Sequence, residues 1–234
     1  MADDVRGEDA EFEPLPDGDL RRRAADQARS IEAAAFAGVA YAVLTILALL
    51  RLQNLPSLAS SDDELVAWFE DDTNQAWLIG ALGLASVASV AFLWFVAVIR
   101  RRLGDLEDRF FSTVFQSSGI LYVATWLSGA AVLASPAVAM TELDAATVSA
   151  ESVSLAGGIG AALILVVAPR LQAVFIFSTS TVILRSRVLP SWLAMVGYAS
   201  GLVLFVVPLI TQPTGLLFPV WVLLVSVVLL AKRH

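Results

Sequence analysis

A single arginine stands inside the longest apolar stretch of the chain. Leu155 to Leu184 reads LAGGIGAALILVVAPRLQAVFIFSTSTVIL, and Arg170, directly after Pro169, is its only ionised side chain. A charge at the centre of a membrane costs about 2.5–3.5 kcal/mol on insertion scales, so some interaction must offset it. Three kinds of chemistry could do so. The planar guanidinium could grip an anionic group of a lipid or amphiphile at two points. It could plug the carbonyl of Leu165, which Pro169, lacking an N–H, leaves without its helical donor. Or it could snorkel. If Arg185 marks one interface, Arg170 stands about 22 Å up a straight helix, and about 8 Å of a ~30 Å hydrocarbon core remains. Its side chain leans toward the helix N-terminus, that nearer edge.

Other polar groups stand at the same depth. Gln172 points roughly opposite Arg170 on the same helix. On the preceding apolar segment Ser118, Tyr122, Thr125 and Gly129 recur at i, i+4, i+7 and i+11. That is one stripe of small and hydrogen-bonding residues, suited to a helix contact. Arg170, Gln172, Tyr122, Thr125 and Ser118 are therefore the candidate lining of a site for an anionic ligand, with helix packing as the plainer reading of the stripe. Ser178 to Thr181 can bond back to carbonyls of their own helix. Gly197 and Gly201 form a GxxxG pair that lets another helix approach closely, in this chain or a second copy.

The missing residue types narrow the chemistry. The chain has no cysteine and one histidine, His234, the last residue. Haem ligation by membrane histidines, histidine-ligated zinc and serine–histidine proteolysis are excluded. Apart from Glu32 at the start of the first apolar segment, no aspartate or glutamate falls inside one, which excludes an aspartyl membrane protease. No lysine lies in the last segment to form a retinal Schiff base, and no glycine-rich phosphate loop occurs. The sequence offers no catalytic, cofactor-binding or metal residues, and the net charge of −7 argues against nucleic acid as a partner.

These residues must be positioned by helices in a membrane. Of the 234 residues, 58% are hydrophobic and only 16% charged, against about 25% charged in soluble domains. Residues 1–30 are an acidic, disordered tail leading into a basic segment with Arg21, Arg22, Arg23 and Arg29. That segment is expected as a helix at the headgroup surface, N-capped by Asp19. Residues 31–234 form the transmembrane domain. Its spans are expected near Ile31–Leu50, Ala76–Ile99, Phe110–Pro136, Leu155–Leu184, Pro190–Ile210 and Leu216–Ala231. All but two of the 15 basic residues then fall on one side, the exceptions being Arg51 and Arg170. By the positive-inside rule both termini are cytoplasmic. In the first outer gap Ser61-Asp62-Asp63-Glu64 is a capping box, followed by Leu65, Trp68 and Phe69 on one face. This predicts a short amphipathic helix along the outer interface, with a lid over the bundle as the alternative. Thr211 to Gly215 reads as a tight turn.

Phe36-Ala37-Gly38 with Tyr41, the run Arg187-Val188-Leu189-Pro190-Ser191-Trp192-Leu193 followed by Gly197 and Gly201, and Phe218-Pro219-Val220-Trp221 resemble a domain-of-unknown-function family of small prokaryotic multi-pass membrane proteins. The resemblance spans most of residues 31–231. It implies about six helices in the plasma membrane and no assigned activity, and brings no catalytic residues. The arginine-rich, lysine-poor composition agrees with a prokaryotic source.

The expected architecture is thus all-α: a polytopic six-transmembrane-helix bundle, both termini cytoplasmic, with a short outer amphipathic helix. The expected role is a non-enzymatic accessory or structural membrane subunit, the alternative a binder or carrier of an anionic lipid or amphiphile using Arg170. Membrane lipids and other membrane-protein subunits, or a second copy, are the expected partners. No cofactor is implied.

Overall fold

The computed structural model describes residues 17–52, 55–57, 60–103, 109–142, 148–187, 189–206 and 215–231. The acidic tail through residue 16, Asp144, Val188, most of the expected turn at 211–215 and the basic C-terminus lie outside these. Among the described residues there is no strand. The helices are α1 (Asp17–Leu52), α2 (Asp62–Glu70), α3 (Asp72–Leu103), α4 (Arg109–Glu142), α5 (Ala150–Ala161), α6 (Ala168–Ser186), α7 (Ser191–Val206) and α8 (Leu217–Ala231), with a π-helical segment Ala162–Val167 joining α5 to α6. Four stretches are long and apolar enough to cross a membrane: Glu32–Leu52, Asp72–Arg100, Thr113–Thr141 and Ala150–Ser186; α7 and α8 are shorter apolar helices.

Three expectations about boundaries are corrected. The basic lead-in is not separate from the first span but continues directly into it as one 36-residue helix. Nothing between Asp17 and Leu52 breaks a helix, because the local sequence holds neither proline nor paired glycines. Asp19 is accordingly inside α1 and not its cap. The third span does not fade at Pro136 but runs through it to Glu142. In an apolar setting the helix is the only way to pair the surrounding backbone groups, and this outweighs the one bond proline removes.

α2 has the expected capping box. Ser61 Oγ accepts from Glu64 N–H at 3.4 Å and Glu64 Oε2 accepts from Ser61 N–H at 3.2 Å. Leu65 and Phe69 are buried against Leu78 of α3, Ala134 and Ala137 of α4 and Val153 of α5, so the helix caps one end of the bundle. The corner into α3 is tied by Gln75 Nε2 donating to the Phe69 carbonyl at 2.7 Å. Asn74 Nδ2 donates to the Trp68 carbonyl at 3.1 Å. Asp71 Oδ1 caps α3 by accepting from the N–H groups of Thr73 and Asn74.

The long helices close a ring in chain order. α1 packs on α3, α3 on α4, α4 on α5 and α6, α6 on α7, α7 on α8, and α8 back on α1. Small residues set the closest approaches. Gly38 of α1 faces Ser226 of α8 and Phe95 of α3. A methyl group on Gly129 of α4 would come within 2.7 Å of Ile164 Cγ1, and one on Gly160 within 3.0 Å of the Gly129 carbonyl oxygen. Without a hydrophobic driving force in lipid, such close packing is what holds apolar helices together.

Candidate functional site

The middle of the ring is filled by aromatic side chains from five helices. Phe92 of α3 is the hub. Its ring centroid lies 4.8 Å from Tyr41 (α1), 5.4 Å from Tyr122 (α4), 5.1 Å from Phe175 (α6) and 5.6 Å from Phe218 (α8). Phe115 stacks on Phe175 at 4.7 Å. Tilted and edge-on pairs of this kind add to packing beyond the area they cover.

Within these rings lies a short polar chain. The Tyr41 and Tyr122 hydroxyls are 2.8 Å apart, and the buried Gln172 of α6 lies beside Tyr122. All three side chains are buried. A hydroxyl in apolar surroundings must find a partner, and here the two tyrosines find each other across α1 and α4, with Gln172 of α6 at the same level. Its members are neutral hydrogen-bonding groups, which suits holding position. The Thr45 hydroxyl, one turn along α1 from Tyr41, is buried without a hydrogen bond.

A second junction joins α6, α7 and α8. A methyl group on Gly197 would collide with Ser180 Oγ and come within 2.9 Å of Trp221 Nε1; one on Gly201 would meet Phe177 at 2.6 Å. Ser178, Thr179 and Thr181 bond back to carbonyls four residues earlier, whereas Ser180 Oγ and Trp221 Nε1 have no hydrogen-bond partner. Thr181 also meets the Tyr198 hydroxyl at 2.7 Å. The chain has 3 tyrosines, and each hydroxyl thus bonds a hydroxyl on a different helix.

Arg170 is turned another way. The helix widens at Ala162–Val167, where Ala168 N–H donates to the carbonyl of Leu163, five residues back, and none of the six residues is buried. Pro169 has no N–H to continue the ladder, and Gly160 crosses Gly129 at the start of the segment. A proline ring ahead and a tight crossing behind together account for the wider turn. The Arg170 guanidinium donates through Nη1 to the Val166 carbonyl, one residue on from the Leu165 carbonyl that Pro169 frees. Arg170 is half-buried.

The five residues considered together as a ligand lining therefore do not converge. Gln172 and Tyr122 join in the interior. Ser118 is buried and donates to the Phe115 carbonyl at 3.0 Å. Thr125 is half-buried, and Arg170 faces away on its own helix. Tyr41, Phe92 and Thr45 were not among the candidates. A tyrosine inside an apolar helix, whose hydroxyl needs a partner, was the available signal for Tyr41. Among the described residues no group of three or more His, Cys, Asp or Glu could hold a metal. No family model, no curated protein and no solved structure matches the chain.

Proposed function

We propose that this protein is a non-enzymatic accessory or structural subunit of the plasma membrane, spanning it six times with both termini cytoplasmic. The observation that carries the reading is the filled interior. Interlocking rings around Phe92 and a neutral Tyr41–Tyr122–Gln172 chain occupy the centre, where a carrier or an intramembrane enzyme needs a cleft with reactive groups. The ring formed by the two shorter helices α7 and α8 with the four longer ones supports six crossings. The positions of Arg100, Arg185 and Arg187 support the orientation. The likeness of Arg187–Leu193 and Phe218–Trp221 to small prokaryotic multi-pass proteins of unassigned activity belongs to the same proposal.

Native mass spectrometry directly from membranes tests the role. The expected result is a fixed-stoichiometry complex with another membrane protein or a second copy; a lone monomer overturns the subunit reading. Because the chain lacks cysteine, a single cysteine at position 62 tests topology. It should react with an impermeant thiol reagent on intact cells, and labelling only after lysis would sink the six-span orientation.

A further inference from the structure

We infer that Arg170 is the docking point for a transmembrane helix of a different protein, one that carries an aspartate or glutamate at mid-membrane. The inference rests on the subunit reading above and names the chemistry of the partner. Depth is the first observation. α4 and α6 run antiparallel, with Phe175 against Gly119 and Ile164 against Gly129. The guanidinium meets the Val166 carbonyl, which by counting between those contacts is level with about residue 127 of α4. That is the middle of the Thr113–Thr141 span, and the middle of Ala150–Ser186 is Ala168, close by. A ~30 Å hydrocarbon core centred there leaves about 15 Å to either edge. One side chain does not cover that distance, so snorkelling does not bring this charge to water or to a lipid headgroup.

Facing is the second. None of Ala162–Val167 is buried, and Leu165, Val166 and Val167 are exposed. This stretch therefore turns away from the packed rings, and its apolar side chains give another helix a surface to pack on. Charge balance is the third. All 22 Asp and Glu residues lie within 3–32, 62–72, 105–108 and 142–151, at the ends of the spans or beyond them. The Val166 carbonyl takes up one donor of the guanidinium fork but brings no counter-charge. A second copy of the chain, in either orientation, has no carboxylate at that level to offer. An unneutralised charge at mid-membrane is costly. A carboxylate on a helix of another protein removes that cost through a charge-assisted pairing at two points, which lysine cannot reproduce with the same geometry.

The probe is a synthetic transmembrane peptide of about 20 leucine and alanine residues with one glutamate at its centre. Control peptides carry glutamine or leucine there. The full chain, labelled with a donor fluorophore through Asp62→Cys, is reconstituted in phosphatidylcholine vesicles with acceptor-labelled peptide, and energy transfer reads their association. The Arg170 side chain of wild type should hold the glutamate peptide about tenfold more tightly than either control, the size of one charged hydrogen-bonding contact. Arg170→Gln should lose that preference and Arg170→Lys should keep only part of it. Arg170→Gln retains a donor for the Val166 carbonyl, so it removes the charge without removing the contact within the helix. Equal binding of the three peptides by wild type, or an unchanged preference in Arg170→Gln, overturns the inference. If Arg170→Gln instead abolishes association between two labelled copies of the chain, the occupant is a second copy and the assignment falls. A native membrane complex that survives Arg170→Gln overturns this inference and leaves the subunit reading standing, whereas a lone monomer in native membranes overturns both.

Discussion

Arg170 and Gln172 stand two residues apart on α6 and have opposite surroundings. Gln172 is 7% exposed and lies beside Tyr122 among the packed rings. Arg170 reaches along its own helix to Val166 at the lipid-facing π segment. The difference is what charge permits. A neutral amide can be carried in the interior beside hydroxyls at modest cost. A guanidinium would need a full counter-charge there, since an unpaired buried charge is far costlier than an unpaired amide. The same helix therefore directs its neutral polar group inward and its charged one outward, onto its own backbone.

Five substitutions break or sharpen that contrast. The largest effect is expected at the hub of the closed side. Phe92→Ala removes the ring that five others contact and should destabilise the protein by about 3 kcal/mol, the lower end of soluble-core values because lipid is itself apolar. Equilibrium unfolding in mixed micelles measures it, and a loss below about 1 kcal/mol would mean that the centre is loosely packed. Gly197→Leu follows, at about 2–3 kcal/mol, because the new side chain collides with Ser180 and Trp221 where three helices meet. A protein melting like wild type would show that α7 is free to move outward.

The third comparison sets the neighbours directly against each other. Gln172→Leu changes a buried side chain among packed rings and should cost about 1 kcal/mol. Arg170→Leu loses the contact to Val166 but also an unfavourable charge, so its melting in neutral detergent should be unchanged or higher. Equal destabilisation by both would contradict the inward and outward assignments. The smallest effect lies at the other end of α6. Arg187 ends the helix in the left-handed region at φ 53°, with its N–H donating to the Ile183 carbonyl at 3.1 Å. A side chain there costs about 1–2 kcal/mol, so Arg187→Gly should stabilise by about 1 kcal/mol, read as a small rise in melting temperature. A fall would mean that the Arg187 side chain contributes more than its backbone strain.

Composition and local pattern were enough to establish an all-helical chain with apolar helices of membrane length, the positions of those helices to within a few residues, and the capping box at Ser61. All of these depend on residues close together in sequence. Which face of each helix turns inward was not legible, and the reason is the solvent. In water, burial separates apolar from polar residues along a helix; in lipid it does not. Phe92 and Phe95 are buried while Leu93 and Trp94 beside them are exposed, and nothing in their hydrophobicity distinguishes them. Leu155–Leu184 is apolar all round in the same way, so Arg170 and Gln172 could be set on opposite sides without knowing which side was the interior. Only the tertiary structure decided that, by bringing α1 and α4 together so that Tyr41 meets Tyr122, and by letting Gly160 cross Gly129 ahead of Pro169 so that the helix widens and its arginine turns outward. Those outcomes depend on which helices become neighbours, and that is settled by packing between segments far apart in the chain.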